Sequence, residues 1–330
     1  MPTPLQDSLA RLPVVGGKRP ERLGYVVNFA FHIWYKVVEK YMRARAAQYG
    51  IAEVIVRDAN LDLATELDAV DALIREGVDA LVVTPVAAPG VEAIVAKARA
   101  ARIPLVLEAN PIAGMSTMVA ICDYDAGVQS GRWAGEYVRK HLGDRARLLD
   151  VAFPSLRPCL LRSEGFLDGL KSVVPGTDLV ARVNGEARVD VAGRLTRETL
   201  GKHPDVNVVF GMDDESTHGA QQAIEGMGID PSRILLFGFG LAGDADKNRL
   251  LIPGPWRASL AMFPEWVGVR CVDQAVRIVN GEAVRPHDVV PTIPIARDTL
   301  EKYFVKSGEA WMPDFPAIGA IPANAECTKT

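Results

Sequence analysis

The chain has 330 residues, which at about 150 residues per domain points to two domains. Hydrophobic residues make up 48% and charged ones 24%, which excludes disordered, collagen-like and coiled-coil classes, and no run reaches the roughly eighteen apolar residues of a membrane span. With 37 Lys and Arg against 41 Asp and Glu the net charge is −4, so nucleic acid is not an expected partner.

From Leu23 onward, short apolar runs alternate with stretches of helical period, the pattern of a parallel sheet with crossover helices. Strands are expected at 25–29, 53–57, 80–84 and 105–107. The first helix covers 34–49, since Trp34, Val37, Val38, Tyr41 and Met42 recur at three and four residues and Gly50 can close it. Leu63, Leu67, Val70, Leu73 and Ile74 give the second helix its buried face, and Val91, Ile94, Val95 and Ala98 the third. A strand at 118–121 then leads through Asp123-Tyr124-Asp125 into a helix at 128–141. The same alternation restarts, with strands at 147–152, 178–183, 206–210 and 234–237 and helices at 161–174, 191–202 and 216–227. A late segment departs from this plan: a strand at 257–263, a helix at 267–280 closed by Gly281, an extended stretch at 289–295, and a Pro- and Ala-rich tail from Trp311 that wraps a surface.

Cys122, Cys159, Cys271 and Cys327 form no CxxC pair and are expected as buried or free thiols. Residues 1–22 contain no continuous apolar stretch of the kind a secretory signal needs. The chain is therefore either cytoplasmic or exported by a signal outside this sequence. Five histidines include no pair spaced for one helix face, and no GxSxG elbow occurs, so neither a metal nor a catalytic residue is expected.

Gly238-Phe239-Gly240-Leu241-Ala242-Gly243 satisfies GxGxxG after a predicted strand, but Pro253-Gly254-Pro255 interrupts the long helix that a dinucleotide site requires. A plain strand-exit turn is the expectation, and a nicotinamide-dependent enzyme is the rival reading. Met212-Asp213-Asp214-Glu215 lies where a strand meets a helix. Asp213 is read there both as a helix cap and as a ligand acceptor, because open α/β sheets bind ligands beyond the carboxyl ends of their strands. Asp123 and Asp125 carry the same two readings, ligand acceptor or helix cap, with capping of the helix that follows them the preferred one. Phe29, Phe31, His32, Trp34 and Tyr35 crowd the first strand-to-helix junction, and the stripe is read both as core and, for Trp34 and Tyr35, as flat rings that stack on the apolar faces of a sugar.

These residues resemble the type I periplasmic solute-binding proteins of the ribose-binding kind, which deliver sugars to ABC importers. The resemblance covers roughly 22–296. It rests on 24–28 with its aromatic junction, on Glu76-Gly77-Val78-Asp79-Ala80-Leu81-Val82-Val83-Thr84-Pro85, and on Ala101-Arg102-Ile103-Pro104. Further matches are Gly131-Arg132-Trp133-Ala134-Gly135-Glu136, Arg162-Ser163-Glu164-Gly165-Phe166, His203-Pro204-Asp205-Val206 followed by Asp213-Asp214-Glu215, and 264–268. It implies an α/β fold of two doubly wound parallel-sheet lobes joined by a three-crossing hinge, with a solute enclosed as the lobes close. The first lobe would hold 22–121 and about 263–291, and the second 122–262 and about 292–310. Residues 1–21 and 311–330 would be extended terminal segments.

Carried over by position, His32, Trp34 and Tyr35 would contact the ligand from the first lobe, and Arg162 and Asp213 from the second. The chain also departs from the ribose-type pattern. Ala109-Asn110 stands where an Asp-Arg pair is usual, with Glu108 one step earlier, Gly240 replaces an Asp, and Met262 replaces a Gln. Fewer acceptor carboxylates make ribose itself a doubtful ligand and leave Glu108, Asn110, His32 and Arg162 as the polar candidates for another sugar, a polyol or a sugar acid. The resemblance thus implies a non-enzymatic periplasmic or extracytoplasmic receptor without a cofactor. Its partners would be a small hydroxylated solute and the permease subunits of an ABC transporter, and a monomer would be the default state. The alternative is a cytoplasmic sugar-sensing protein or regulator sharing the core of the lactose-repressor family but lacking its DNA-binding headpiece.

Overall fold

The computed structural model describes residues 3–109 and 117–329. A short helix α1 (Pro4–Leu9) precedes β1 (Arg22–Val27), α2 (Ile33–Tyr49), β2 (Glu53–Asp58), α3 (Leu63–Arg75), β3 (Ala80–Val83), α4 (Ala88–Ala101), β4 (Leu105–Ala109) and β5 (Met118–Ala120). The alternation continues with α5 (Asp123–Leu142), β6 (Arg145–Ala152), α6 (Arg157–Val173), β7 (Gly176–Asn184), α7 (Val189–Lys202), β8 (Val208–Gly211), α8 (Asp214–Gly226), β9 (Leu235–Gly240), α9 (Asp244–Leu250) and β10 (Trp256–Ala261). It ends with α10 (Pro264–Val279), β11 (His287–Val289), β12 (Ile293–Ala296), a hairpin of β13 (Phe304–Ser307) and β14 (Ala310–Pro313), and α11 (Phe315–Gly319).

The chain divides into two compact units. Unit 1 comprises Met1–Ile121, Phe263–Pro291 and Tyr303–Glu326, and unit 2 comprises Cys122–Met262, Thr292–Lys302 and Cys327–Thr330. The chain thus passes between the units after Ile121, Met262 and Pro291, and again after Lys302 and Glu326. Unit 1 holds a sheet in the order β11-β5-β4-β3-β1-β2, all parallel. Unit 2 repeats the plan as β12-β10-β9-β8-β6-β7, in which only β12 runs antiparallel to its neighbour. In each unit the strand order reverses beside the first strand, at β1/β3 and at β6/β8. That reversal opens a crevice at the carboxyl ends of the strands.

Local chemistry accounts for the elements. β3 is apolar throughout and buried on both faces, as crossover helices require of a central parallel strand. Gly50 ends α2 with φ 71°, a left-handed conformation that costs glycine little, and its N–H donates to the carbonyls of Ala46 and Ala47. Asp62 caps α3 by accepting from the Thr65 N–H at 2.7 Å. Helix α4 starts at Ala87, which has no capping side chain. Glu66 on α3 reaches across to its approach, where Oε1 accepts from the Val86 N–H at 2.8 Å. Burial pushes the Glu66 carboxyl up to about 7, with the Val86 bond pulling the other way.

Helices α5 and α6 approach backbone to backbone. A Cβ at Gly127 would lie 2.4 Å from the Arg162 carbonyl, at Gly131 2.1 Å from that of Phe166, at Gly165 2.2 Å from that of Tyr124, and at Gly169 2.3 Å from that of Val128. Only glycine lets the two helices sit at this distance, so the four positions set the register of α6 on α5.

Three expectations are corrected. The terminal segments are not extended wrappings. Leu9 of α1 packs with Tyr41, Val269 and Phe315 of α11, and the Ser8 hydroxyl donates to the Pro313 carbonyl at 2.6 Å. The stretch 303–310, assigned by resemblance to the second lobe, groups with unit 1 because Phe304 stacks on Phe263 with ring centroids 5.8 Å apart. Cys122 and Cys327 are not thiols but a disulfide across 205 residues of sequence, and only Cys159 and Cys271 are free. Among the described residues no helix is long and apolar enough to cross a membrane.

Candidate functional site

In unit 1 the candidate residues gather where β1, β3 and β4 end. Phe29 is the hub of an aromatic cluster, with ring centroids 5.2 Å from Phe31, 5.5 Å from His32 and 5.1 Å from Tyr35. Phe31 is 67% exposed, whereas Tyr35 is buried. His32 is the N-cap of α2: its Nδ1 accepts from the Trp34 N–H at 3.2 Å, so the ring is fixed by the helix it starts.

Glu108 sits beneath this layer, fully buried on β4. It ends a hydrogen-bonded chain in which the Tyr25 hydroxyl bonds that of Thr84 at 3.3 Å, and the Thr84 hydroxyl donates to Glu108 Oε2. Burial pushes the Glu108 carboxyl up to about 7, and the dipoles of Thr84 and the Trp34 side chain pull it back. Burial also raises the Tyr25 hydroxyl well above its ordinary range, with the Glu108 charge adding to the effect. Glu108 therefore acts as an internal brace that holds Thr84 and Trp34 rather than as an exposed acceptor. Asn110 lies outside the described residues.

In unit 2 the centre is Arg162. Its Nε donates to Asp123 Oδ1 at 2.7 Å, and its guanidinium carbon lies 5.0 Å over the centre of the Phe239 ring. Burial pushes the Asp123 carboxyl up while Arg162 draws it back down. Burial is the largest influence on Arg162 and lowers its pKa, but the Asp123 charge and hydrogen bond together with Cys159 and Asp213 outweigh it, and the net shift is upward. The guanidinium stays charged and is already balanced by Asp123. The helix carrying it is anchored at the next residue, where the Ser163 hydroxyl donates to Asp150 Oδ1 at 2.9 Å; Asp150 in turn accepts from Arg182 at 2.6 Å. Cys159, one turn before Arg162, has its thiol pushed up to about 12 by burial and is chemically quiet.

Asp213 stands at the carboxyl end of β8, where it caps α8 by accepting from the Ser216 N–H at 2.8 Å, and its charge also acts on Arg162. Its neighbour Asp214 faces inward and accepts from the Leu241 and Ala242 N–H groups at 2.8 and 3.0 Å. Asp246 accepts from the Gly243 N–H at 2.7 Å. The backbone donors of the GxGxxG turn are thus taken by the chain's own carboxylates, and the helix after it spans only Asp244–Leu250. The segment is a strand-exit turn. Met262 follows β10, is 4% exposed, and donates its N–H to the Gly240 carbonyl at 3.2 Å.

The expected capping role of Asp123 and Asp125 is corrected. Helix α5 begins at Asp123, five residues before its predicted start, with Cys122 as an N-cap that makes no side-chain capping bond. Asp123 serves Arg162 instead, and Asp125 Oδ2 accepts from the Thr328 N–H at 2.8 Å. Four residues that matter here escape motif reading: Asp123 as the arginine's partner, Phe239 as its platform, and Thr84 and Tyr25 as the support of Glu108. One signal does exist in the sequence. Asp123, Gly127 and Gly131 recur every four residues, as do Gly165 and Gly169, which is the spacing of a close helix pair carrying Asp123 on the shared face.

The paired switch points, aromatic in one unit and holding an ion-paired arginine in the other, define a two-unit α/β binding protein. Residues 23–283 match the family model described as the periplasmic binding protein domain, and the chain belongs to that family. Its relatives are binding proteins of import systems rather than enzymes. The ribose import binding protein RbsB of Bacillus subtilis (strain 168) is 27% identical over 275 residues, 82% of this chain and 85% of that one. Two solved structures share the type I fold. One is an ABC transporter periplasmic solute binding protein from Actinobacillus succinogenes 130z with bound D-allose (TM-score 0.76, 18% identity, 86% of this chain and 99% of that chain). The other is a solute binding protein from Bacillus halodurans C-125 with bound myo-inositol (TM-score 0.74, 20% identity, 87% and 98%).

Proposed function

We propose that this chain is an extracytoplasmic receptor that captures a sugar, polyol or sugar acid and hands it to the permease of an ABC transporter. The observation that carries the reading is Arg162, locked by a buried carboxylate over an aromatic ring at the carboxyl edge of its sheet. A planar donor fixed in this way suits the ring and hydroxyl oxygens of a carbohydrate. Because Asp123 already balances the guanidinium, a neutral polyhydroxylated guest fits better than a carboxylate. His32, Trp34 and Tyr35 would supply the apolar faces and polar edges of the other half-site, and Asp213 a hydroxyl contact. Asn110 and Met262 stay candidates, Met262 as an apolar wall.

A guest bonded by residues of both units favours whichever arrangement brings them together, and that population shift would be the signal a permease reads. The names of the relatives, which bind ribose, D-allose and myo-inositol, support the solute class. The Cys122–Cys327 disulfide supports an oxidising compartment and speaks against the cytoplasmic sensor. A monomer suffices for this role.

Isothermal calorimetry against pentoses, hexoses, polyols and aldonic acids tests the proposal. For a guest of about 12 heavy atoms at roughly −0.7 kcal/mol each, a dissociation constant near micromolar is expected. Absence of heat and of thermal stabilisation across the whole panel would refute it.

A further inference from the structure

Helix α5 begins without the usual means of satisfying its orphan N–H groups, since Cys122 supplies no side-chain cap. Its first turn is held from outside by the C-terminal residues. Cys327 is joined to Cys122, the Thr328 N–H donates to Asp125 Oδ2 at 2.8 Å, and the Lys329 ammonium lies 3.7 Å over the centre of the Tyr124 ring. Tyr124 in turn donates its hydroxyl to Asp168 of α6 at 2.8 Å. Three successive tail residues therefore grip Cys122, Asp125 and Tyr124. The one first-turn side chain between these contacts that turns inward is Asp123, 1% exposed and bonded to Arg162.

We propose that the Cys122–Cys327 disulfide and the tail it anchors are positioning elements for Arg162: they keep the first turn of α5 wound, so that Asp123 holds the guanidinium over Phe239. This rests on the reading of Arg162 as a ligand-binding group. An uncapped helix start frays first, because its backbone groups gain water as partners at little cost. When the disulfide is reduced, the tail loses its covalent root, the first turn opens part of the time, and Asp123 no longer restrains Arg162. The arginine must then be ordered by the ligand itself, and affinity falls. Oxidation state is thereby coupled to the strength of solute capture without either sulfur touching solute.

The test compares the oxidised protein treated with the alkylating agent, which accounts for any adduct on the free Cys159 and Cys271, the same protein reduced with a phosphine and then alkylated, and the Cys327→Ser variant. Two readouts are followed: the dissociation constant for the tightest solute of the panel, and hydrogen exchange of the amides at 123–128 together with the Arg162 Nε–H resonance, which needs no ligand. Reduction is expected to weaken binding roughly two- to tenfold, the loss from immobilising one side chain on binding. It is also expected to speed exchange at 123–128 and broaden the Nε–H signal, while the amides of β1 and β3 in unit 1 stay as they were. Arg43→Lys, on α2 of unit 1, should change neither readout. Equal affinities and unchanged exchange in oxidised and reduced protein would overturn the proposal. If no solute binds even to the oxidised form, the binding reading fails, and the exchange and Nε–H measurements still decide the positioning role. If Cys327→Ser does not fold, reduction of the folded protein carries the comparison.

Discussion

Gly127→Ala is a direct probe of how the α5–α6 contact serves the site. The added methyl would sit 2.4 Å from the Arg162 carbonyl oxygen, whereas ordinary contact begins at 3.4 Å, so α6 must retreat by about 1 Å. Alanine in a helix interior gains roughly 0.8–1.0 kcal/mol over glycine. Overpacking costs about 1–3 kcal/mol, and the upper end applies because the obstacle is backbone that cannot swing aside. The expected net loss is therefore about 2 kcal/mol of stability. The same retreat stretches the 2.7 Å bond between Arg162 and Asp123. With Asp123 no longer holding it, Arg162 has to be ordered by the solute itself, which weakens affinity roughly two- to tenfold. Urea unfolding and solute calorimetry measure the two effects, with Gly201→Ala as the matched control. No atom lies within 4 Å of a Cβ at Gly201, so that substitution should stabilise by roughly 0.5–1 kcal/mol. A Gly127→Ala protein as stable as its parent, with unaltered affinity, would refute the argument.

Other substitutions test other parts. Arg162→Met strands the buried Asp123 carboxylate and should cost about 3–5 kcal/mol, much of it recovered when Asp123→Asn is added; a double-mutant cycle with no recovery would mean the two groups are not paired. Glu66, raised from an ordinary 4.5 to about 7, binds its proton more tightly when folded. The stability linked to it is present below the unfolded value and is lost as pH climbs from about 4.5 through about 7, by up to about 3 kcal/mol. Glu66→Gln, which keeps an acceptor for Val86, should be less sensitive to pH between about 5 and about 8 than the parent in denaturation curves. Asp214→Ala leaves the buried N–H groups of Leu241 and Ala242 without their acceptor and should cost roughly 2–5 kcal/mol, read as a lowered unfolding midpoint.

Much of the fold lies in local chemistry that a linear reading reaches. Apolar runs such as Ala80–Val83 must be central parallel strands, because only crossover helices can cover both faces. Gly50 has to close α2, and the repeated strand–helix alternation has to give two similar units. The aromatic junction at 29–35 is legible because it stands at a strand-to-helix boundary, where α/β sheets expose side chains, whereas Arg162, more than a turn inside α6, is reached only through the family resemblance. Tertiary structure alone decides the partnerships. Asp123 has the local signature of a cap and is the arginine's counter-ion, because glycines on two helices bring their backbones together. Glu108 reads in the sequence only as a polar candidate, and its full burial and its bond from Thr84 follow from β4 lying inside the sheet. Cys122 and Cys327 read as separate thiols, since nothing in their spacing says that a tail 205 residues away returns to the start of α5. Periodicity records which side of an element meets water. Which buried groups meet each other depends on packing between elements far apart in the chain, and that only the fold determines.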